Sequence, residues 1–248
     1  MKSETRTAAR VLDVFETFGA RRAPLSVSEI ARAIGAPVSS CHALIRTLQG
    51  RGYLYSTTSR HRLYPTRRLH YIAQTIAEHD PLLERVAPVL GRLRDQTHET
   101  AILGKLDNHA VVYLEVMEGL HTVRYTSRAG EHKPLHSSAI GKALLGILED
   151  EPLAELLRVI KLPAVTAKTI TDPRRLRADL RESAARGYFI TRGENVADVM
   201  AIAVPLAIDE EMVGIAVAGP IHRMEANLDS YVQHLQAARQ ALLSGHGG

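Results

Sequence analysis

The chain has 248 residues, of which 45% are hydrophobic and 23% charged, with 31 Lys and Arg against 27 Asp and Glu. This length and composition are typical of one or two globular domains and exclude a disordered tail. The single cysteine excludes an intrachain disulfide and a cysteine zinc cage. No apolar run approaches the roughly 18 residues of a membrane span, and the N-terminus lacks a secretory signal, which predicts a soluble cytoplasmic protein without membrane contacts.

The charge is distributed unevenly along the chain. Residues 1–70 contain 12 Lys and Arg and four acids, a net charge of +8, whereas the remaining 178 residues carry a net charge of −4. A basic segment on a slightly acidic body is the electrostatic pattern of a domain that binds a polyanion such as nucleic acid. An unevenly solvated surface is the alternative that charge alone leaves open.

The first 66 residues predict three helices followed by a hairpin. Apolar residues recur at helical spacing over 8–18, and Ser26 with Glu29 has the pattern of a capping box that opens a second helix. The second helix ends at Gly35, and a third helix begins near Pro37, whose fixed backbone suits a first turn. Two short helices joined in this way form a helix-turn-helix.

The outer face of the third helix is polar and has no acid, so it can enter the major groove of DNA. Arg46 on this face can bind a guanine or a phosphate, and Cys41 on the inner face is predicted to be buried. The basic tip of the hairpin is predicted to be a wing that contacts the DNA backbone or the minor groove. The predicted DNA-binding residues are Ser26, Ser28, Val38, Ser39, Ser40, His42, Arg46, Arg60, His61 and Arg62.

These features predict a winged helix-turn-helix domain over residues 1–66; another small bundle with a solvated helix is the alternative. Residues 67–79 are a predicted linker helix whose apolar side suits a partner subunit. Residues 80–248 alternate between helices and strands and predict an α+β domain. The predicted strands lie at about 100–106, 110–117, 122–127, 188–191, 200–208 and 212–219.

The C-terminal segment lacks the motifs of the common enzyme and metal sites. It contains no HExxH, no P-loop and no dinucleotide-binding glycine fingerprint. His132 and His136 leave a metal site open as an alternative, and Ser137, Ser138 and Lys142 resemble a nucleophile–lysine set only loosely. The sequence therefore predicts no enzyme, no cofactor and no metal, and favours a domain that senses a ligand.

Several short motifs occur in a specific order and spacing, although each is weak alone. They lie at residues 25–31, 44–48, 52–54, 134–145, 186–195, 203–205 and 214–220. In these motifs nearly the whole chain resembles the IclR family of bacterial transcription regulators. The resemblance implies a GAF-like α/β effector-binding domain after the DNA-binding domain and a homodimer or tetramer on palindromic double-stranded operator DNA. A small organic acid is the implied effector.

In family members that bind short keto acids, backbone amides of one loop hold the carboxylate, and the matching loop here is Ala139-Ile140-Gly141. Four polar side chains complete that site in those members. The matching positions here carry one threonine and three alanines, at Thr191, Ala201, Ala216 and Ala218. This departure predicts a larger and more apolar pocket that takes an acid bulkier than glyoxylate or pyruvate, such as an aromatic carboxylate.

The predicted effector-binding residues combine these positions with four candidate wall residues. They are Leu103, Leu114, Val123, Ser138, Ala139, Ile140, Gly141, Thr191, Met200, Ala201, Ala216 and Ala218. The alternative is that the alanines only pack the sheet and that no effector binds. The leading interpretation is a regulator whose operator affinity changes with an effector. A ligand-independent oligomeric DNA-binding repressor, an architectural DNA binder and a metabolic enzyme with an incidentally basic N-terminus are the competing interpretations.

Overall fold

The computed structural model describes residues 5–57 and 62–244. The chain divides after Asp80 into two compact units, here called the N-terminal unit and the C-terminal unit. Within the described ranges, no helix is long and apolar enough to cross a membrane. Two residues of the predicted wing, Arg60 and His61, lie outside the described residues.

The N-terminal unit has the predicted order of three helices, a hairpin and a linker helix. Its elements are α1 (Arg6–Arg21), α2 (Val27–Ala33), α3 (Val38–Gly50), β1 (Leu54–Ser56), β2 (Leu63–Pro65) and α4 (Arg68–Ala77). The strands β1 and β2 pair antiparallel. The core that joins α1, α2, α3 and the hairpin is built from Val14, Phe18, Leu25, Ile30, Ala31, Cys41, Ile45, Leu48, Leu54 and Leu63.

Local capping and turn chemistry fix the helix-turn-helix. The Ser26 hydroxyl accepts a hydrogen bond from the Glu29 backbone N–H, and the Glu29 carboxylate accepts one from the Ser26 N–H, which confirms the predicted capping box. Gly35 has a φ of 60°, a left-handed conformation that glycine adopts without steric cost, and it turns the chain from α2 into α3. Cys41 is buried in the core as predicted, and burial raises the pKa of its thiol, which disfavours the reactive thiolate.

The helix α4 buries none of its residues within the N-terminal unit. Its first turn is attached to the unit by the Arg68 guanidinium, which lies 5.4 Å from the centre of the Tyr53 ring. Its predicted apolar side is exposed at Leu69, Ile72 and Ile76.

The C-terminal unit is an α+β domain around one six-stranded sheet. Its elements are α5 (Pro81–Thr97), β3 (Thr100–Asp107), β4 (Ala110–Met117), β5 (His132–Pro134), α6 (Ala139–Leu145), α7 (Asp150–Val159), α8 (Pro173–Arg186), β6 (Phe189–Arg192), β7 (Val199–Ile208), β8 (Glu211–Pro220), α9 (Ile221–Ala226) and α10 (Leu228–Ser244). The sheet order is β5-β4-β3-β8-β7-β6, and all neighbours are antiparallel.

The two faces of the sheet pack against different helices because successive side chains of a strand point to opposite faces. Along β7, Met200 and Ile202 belong to the core formed with α5 and α10. Ala201 and Ala203 belong to the core formed with α6, α7 and α8. The position of a residue in this alternation therefore decides whether it faces α6.

The strand predicted at 122–127 is not formed; the structure instead has the short strand β5. Side chains from distant positions donate hydrogen bonds to backbone carbonyls of the 122–127 segment. The Thr100 hydroxyl donates to the Tyr125 carbonyl at 2.5 Å, and Arg223 donates to the Val123 carbonyl at 2.8 Å. The alternating sequence of this segment reflects the inward positions of Tyr125 and Ser127 in an irregular loop.

Candidate DNA-binding surface and effector cavity

The outer face of α3 is exposed and carries no acidic residue. Five of the predicted DNA-binding residues lie on it, and each is exposed: Val38, Ser39, Ser40, His42 and Arg46. The opposite side of the same helix, with Cys41, Ile45 and Leu48, is buried in the core. One face of α3 is thereby fixed to the unit, and the polar face is free to meet the edges of bases.

The other predicted DNA-binding residues differ in their surroundings. Ser28 is exposed in the first turn of α2, whereas the Ser26 hydroxyl is engaged by Glu29 in the capping box. Arg62 donates to the Glu29 carboxylate at 3.0 Å and to the Pro24 carbonyl at 2.8 Å. These bonds attach the hairpin to α2, and the contact of Arg62 with the DNA backbone or minor groove stays a prediction.

Glu29 is the residue that joins these two features. The Ser26 backbone N–H, the Ser26 hydroxyl and the Arg62 guanidinium all lower the pKa of the Glu29 carboxyl. Because the carboxylate stays charged, it holds both the start of α2 and the base of the hairpin. Glu29 therefore adds a polar contact between α2 and the hairpin to the hydrophobic core that joins them.

A small cavity of about 20 Å³ lies between the start of α6 and the sheet in the C-terminal unit. That volume is about one water-sized sphere. Five predicted effector-binding residues line it, namely Ser138, Ala139, Thr191, Ala201 and Ala218. Thr191 pairs with Ala201 across β6 and β7, and Ala201 pairs with Ala218 across β7 and β8, so these three form one row of the sheet.

The four predicted wall residues do not lie in this cavity. Leu103, Leu114 and Met200 pack in the core with α5 and α10, on the opposite face of the sheet, since their strand positions alternate away from α6. Val123 is 69% exposed in the loop before β5. Ala216 is buried on the α6 side, where it pairs with Ala203, but it is not among the lining residues.

The loop predicted to supply backbone amides forms the first turn of α6. Ser138 is its N-cap: the hydroxyl accepts from the Gly141 N–H at 3.2 Å and donates to the Pro134 carbonyl at 2.7 Å. A Cβ at position 141 would collide with the Leu135 backbone, so the close approach requires glycine. Because the Gly141 N–H already donates to Ser138, only the N–H groups of Ala139 and Ile140 remain of the predicted amide donors. The Ile140 side chain packs against Gly104 and Gly214.

Five lining residues were missed by sequence reasoning: Tyr113, Tyr125, Asn195, Val196 and Val199. They come from β4, the loop before β5, the β6–β7 connection and the start of β7. Tyr113 and Tyr125 are buried and line the cavity together with Ala201 and Ala218, and its volume is only about 20 Å³. The expected enlarged and apolar pocket is therefore not observed. The inward position of Tyr113 follows from the alternation of buried residues along β4, which the sequence shows. No sequence pattern indicates that Tyr125 lines the same cavity.

Polar groups continue from the cavity towards the surface. The Glu131 carboxylate accepts hydrogen bonds from Ser127 and from Lys133, each at 2.7 Å. The Lys133 ammonium lies 5.6 Å from the centre of the Tyr113 ring. Burial, reinforced by Tyr125, raises the pKa of Tyr113, so its phenol stays protonated. Burial would lower the pKa of Lys133, but Glu131 and Tyr125 raise it, so the ammonium stays charged.

An ion cluster around the buried Lys142 joins α6, α8 and the β6–β7 connection. The Lys142 ammonium is 3.0 Å from an Asp179 oxygen and 2.6 Å from a Glu194 oxygen, and its side chain is 0% exposed. Burial raises the pKa of Glu194, while Lys142 opposes that shift. Thr166 and Thr169 donate to the backbone carbonyls of Gly193 and Glu194 at 2.6 and 2.7 Å. The segment that bears Asn195 and Val196 is thus held to α6 and α8.

The alternative chemical sites are not assembled. The Lys142 ammonium is paired with carboxylates and the Ser138 hydroxyl with Pro134, so the two do not form a nucleophile and base. His132 lies 3.4 Å from Asp107, whereas His136 is buried with its Nε2 3.0 Å from the Pro163 carbonyl. Over the part of the chain that the structure describes, no group of three or more His, Cys, Asp or Glu residues is placed to hold a metal.

The winged helix-turn-helix and its exposed α3 define a class, that of DNA-binding transcriptional regulators with a separate α/β domain. Comparisons with known proteins give the family. Residues 7–58 match the family model described as the IclR helix-turn-helix domain, and residues 74–243 match the one described as the bacterial transcriptional regulator IclR C-terminal domain. The chain belongs to the IclR family of bacterial transcriptional regulators, which are not enzymes.

Relatives and solved structures match over nearly the whole chain. The HTH-type transcriptional regulator BhcR of Paracoccus denitrificans is 34% identical over 241 residues, which cover 95% of this chain and 85% of BhcR. The crystal structure of Thermotoga maritima IclR has a TM-score of 0.83 at 24% identity and covers 98% of this chain and 99% of that one. An IclR homologue from Microbacterium hydrocarbonoxydans, complexed with 4-hydroxybenzoate, has a TM-score of 0.75 at 25% identity, with 95% and 97% covered.

Proposed function

We propose that this regulator binds a palindromic operator as a homodimer or tetramer and that a small carboxylate-bearing effector in the cavity changes its operator affinity. The observation that carries the proposal is the cavity itself, which brings Ser138 and Ala139 of α6 against the Thr191–Ala201–Ala218 row of the sheet. The backbone amides of Ala139 and Ile140 are the donors proposed for the carboxylate, by resemblance to the keto-acid site of the family.

DNA recognition is assigned to the exposed face of α3, with Arg46 as the proposed base contact and Ser39, Ser40 and His42 beside it. Arg60 and His61 are proposed phosphate contacts of the wing. An oligomer places two such helices on half-sites about one helical turn or a multiple apart. The exposed apolar side of α4 supports a contact with a partner subunit.

The proposal also concerns the size of the effector, which is either an aromatic acid or a short keto acid. The homologue bound to 4-hydroxybenzoate supports an aromatic acid. The cavity of about 20 Å³ accepts such a ring only after Tyr113 or Tyr125 moves, whereas a short keto acid needs less displacement. The small volume also favours a second candidate function, a ligand-independent oligomeric repressor.

Band shifts on the DNA upstream of the protein's own gene test the proposal, with and without pyruvate, glyoxylate, benzoate and 4-hydroxybenzoate. We expect a sequence-selective shift that at least one acid changes by fivefold or more in affinity, a typical allosteric coupling. A selective shift that is indifferent to every acid supports the ligand-independent repressor. Loss of selectivity against a shuffled fragment contradicts both candidates.

A further inference from the structure

We propose that a groove between α1 and α3 binds the sugar–phosphate backbone of the operator on the side of α3 away from the hairpin, with Arg10 as the phosphate contact. This surface, here called the α1–α3 groove, has a volume of about 460 Å³. The inference rests on the proposed binding of operator DNA and adds to it a second backbone contact. Of the predicted DNA-binding residues, only Ser40 lines the groove within the described part of the chain.

The α1–α3 groove lies on one flank of the helix proposed to read the bases. Its α3 wall is formed by Ser40, Cys41, Ala43, Leu44 and Thr47. The hairpin lies on the other flank, where the Gln49 amide donates to the Ser56 hydroxyl at 3.0 Å. Gln49 follows Ser40 by nine residues, about two and a half turns of helix, so the two residues point to opposite sides of α3.

A helix that enters the major groove of DNA has one phosphate backbone on each flank, because that groove is only about 12 Å wide. The hairpin faces the backbone on its own side of α3. The α1–α3 groove faces the backbone on the other side, and it is continuous with the exposed face of α3 through Ser40. The two flanks of α3 therefore supply two separate backbone contacts.

The lining of the α1–α3 groove matches the chemistry of a sugar–phosphate strand. Its buried and half-buried apolar members are Val11, Ile34, Ala36, Cys41 and Leu44. Its polar members are Thr7, Arg10, Ser40 and Thr47, and the three hydroxyl residues are exposed. Deoxyribose carbons pack against the apolar part, while hydroxyl and guanidinium groups donate to phosphate oxygens. A purely apolar occupant would bury these polar groups without partners, at a cost in free energy.

The charge of the α1–α3 groove also favours a phosphate. Within residues 5–57 and 62–244, no acidic residue lines the groove, and none of the ion pairs involves Arg10. Arg62 on the hairpin, in contrast, donates to Glu29. The first turn of α1 has no acid, and its N-cap residue Thr5 makes no side-chain capping bond. The positive end of the α1 dipole, next to Thr7, therefore adds to the charge of Arg10.

Fluorescence anisotropy of the full-length protein over a series of salt concentrations tests the contact, with the upstream fragment of the band shifts and its shuffled version. Arg10→Gln is expected to reduce the slope of log affinity against log salt by about 1 on both fragments, because one phosphate contact is lost. The ratio of the two affinities should stay within about twofold of the wild-type ratio, since a phosphate contact carries no sequence information. Arg10→Lys keeps the charge and should keep the slope within about 0.3.

Arg21→Gln is the matched control, because it removes the same charge from the same helix. Arg21 is exposed in the last turn of α1 and does not line the α1–α3 groove. The slope of Arg21→Gln should stay within about 0.3 of the wild-type value. An equal decrease in both variants would assign the effect to the net charge of the unit and overturn the groove contact.

Uncharged methylphosphonates, placed at one position of the operator at a time, locate the contact. With the wild-type protein, we expect losses of about threefold or more on both backbones that border the major groove of a half-site. At one of these positions, the methylphosphonate should cost Arg10→Gln no further affinity. Losses confined to one backbone would overturn the proposal, and this result does not require the variant to fold.

The outcomes separate this contact from the proposed function. A selective shift of the wild-type protein, together with an unchanged salt slope in Arg10→Gln, overturns the groove contact and leaves operator binding standing. A loss of affinity in Arg10→Gln on the operator alone would make Arg10 a base contact, which also overturns the backbone contact. If the wild-type protein binds neither fragment, both proposals fail.

Discussion

The two units of the molecule present their candidate functional residues in opposite ways. In the N-terminal unit five of these residues, from Val38 to Arg46, lie on the exposed face of α3, within ten positions of each other in the sequence. In the C-terminal unit they line a cavity, most of them are buried, and they come from segments as far apart as Tyr113 and Ala218. A DNA-binding face must be exposed to reach base edges, whereas a small-molecule site must be enclosed to bind its ligand through few contacts.

The same contrast applies to charge. Arg62 and Glu29 form an ion pair at the surface of the N-terminal unit, with both side chains about one-third or more exposed. Lys142 and Glu194 form a buried pair in the C-terminal unit, which Asp179 joins from a partly exposed position. Surface pairs contribute little to stability, while a buried charge that loses its partner costs several kcal/mol. The predictions below test this contrast, beginning with the largest effect.

Lys142→Met is expected to lower the free energy of unfolding by about 3–5 kcal/mol, because the buried Glu194 carboxylate and the partly exposed Asp179 carboxylate lose their cation. Lys161→Met, at an exposed position between α7 and α8, is the matched control and is expected to change it by less than about 0.5 kcal/mol. Urea denaturation followed by circular dichroism measures both. A loss for Lys142→Met as small as that of the control would mean that the cluster is solvated and that the contrast is wrong.

Arg46→Ala is expected to weaken binding to the specific operator by about 1–3 kcal/mol if Arg46 contacts a base. Fluorescence anisotropy with the operator and with a shuffled fragment measures the two affinities at one salt concentration. Arg51→Ala, just after the end of α3, is the control and should leave the preference for the operator intact. An equal loss on both fragments would reduce Arg46 to a phosphate contact.

His136→Gln is expected to make the protein less sensitive to mild acid. Burial lowers the pKa of His136, and the nearby Lys142 adds to that shift, although the contact with the Pro163 carbonyl opposes it. The unfolded chain therefore binds the proton more readily, so the contribution of His136 is present above about pH 6.5 and is lost as the pH falls. Between pH 7.5 and 5.5, the wild-type protein should lose more stability than His136→Gln. The exposed His109→Gln should follow the wild type, and parallel curves for all three would refute the assignment.

Arg62→Ala is expected to have the smallest effect on DNA binding, since its guanidinium is engaged by Glu29 and Pro24. The slope of log affinity against log salt should stay within about 0.3 of the wild-type value. A residue that neutralises a phosphate would change this slope by about 1. A decrease of that size for Arg62→Ala would support the DNA backbone contact predicted from the sequence.

The sequence predicts the N-terminal unit well because its signals are local. The capping box of Ser26 and Glu29, the turn at Gly35 and the burial of Cys41 each depend on residues a few positions apart. The helices and most strands of the C-terminal unit follow from periodicity in the same way. The strand predicted at 122–127 is the exception, because the distant side chains of Thr100 and Arg223 donate hydrogen bonds to backbone carbonyls of that segment.

The cavity is predicted only in part because its walls depend on tertiary contacts. The resemblance identifies four of the lining residues, namely Ser138, Thr191, Ala201 and Ala218. Whether any other strand residue lines the cavity depends on the sheet face on which it lies. Leu103 and Met200 are apolar strand residues, and Met200 adjoins Ala201 in sequence, yet strand alternation places both against α5 and α10. Tyr125 is brought in by a loop whose path no local pattern encodes.

The central claim is that the cavity of the C-terminal unit controls the operator affinity of the N-terminal unit. Ala201→Leu fills the cavity without changing any residue of the DNA-binding surface, and Ala207→Leu, at an exposed position of the same strand β7, is its matched control. The decisive measurement is the ratio of operator dissociation constants with and without a saturating acid that binds the wild-type protein. The ratio is predicted to differ from one by at least about fivefold in the wild type and in Ala207→Leu, and to be one in Ala201→Leu. A ratio of one in the wild type, or an unchanged ratio in a folded Ala201→Leu, would contradict the claim.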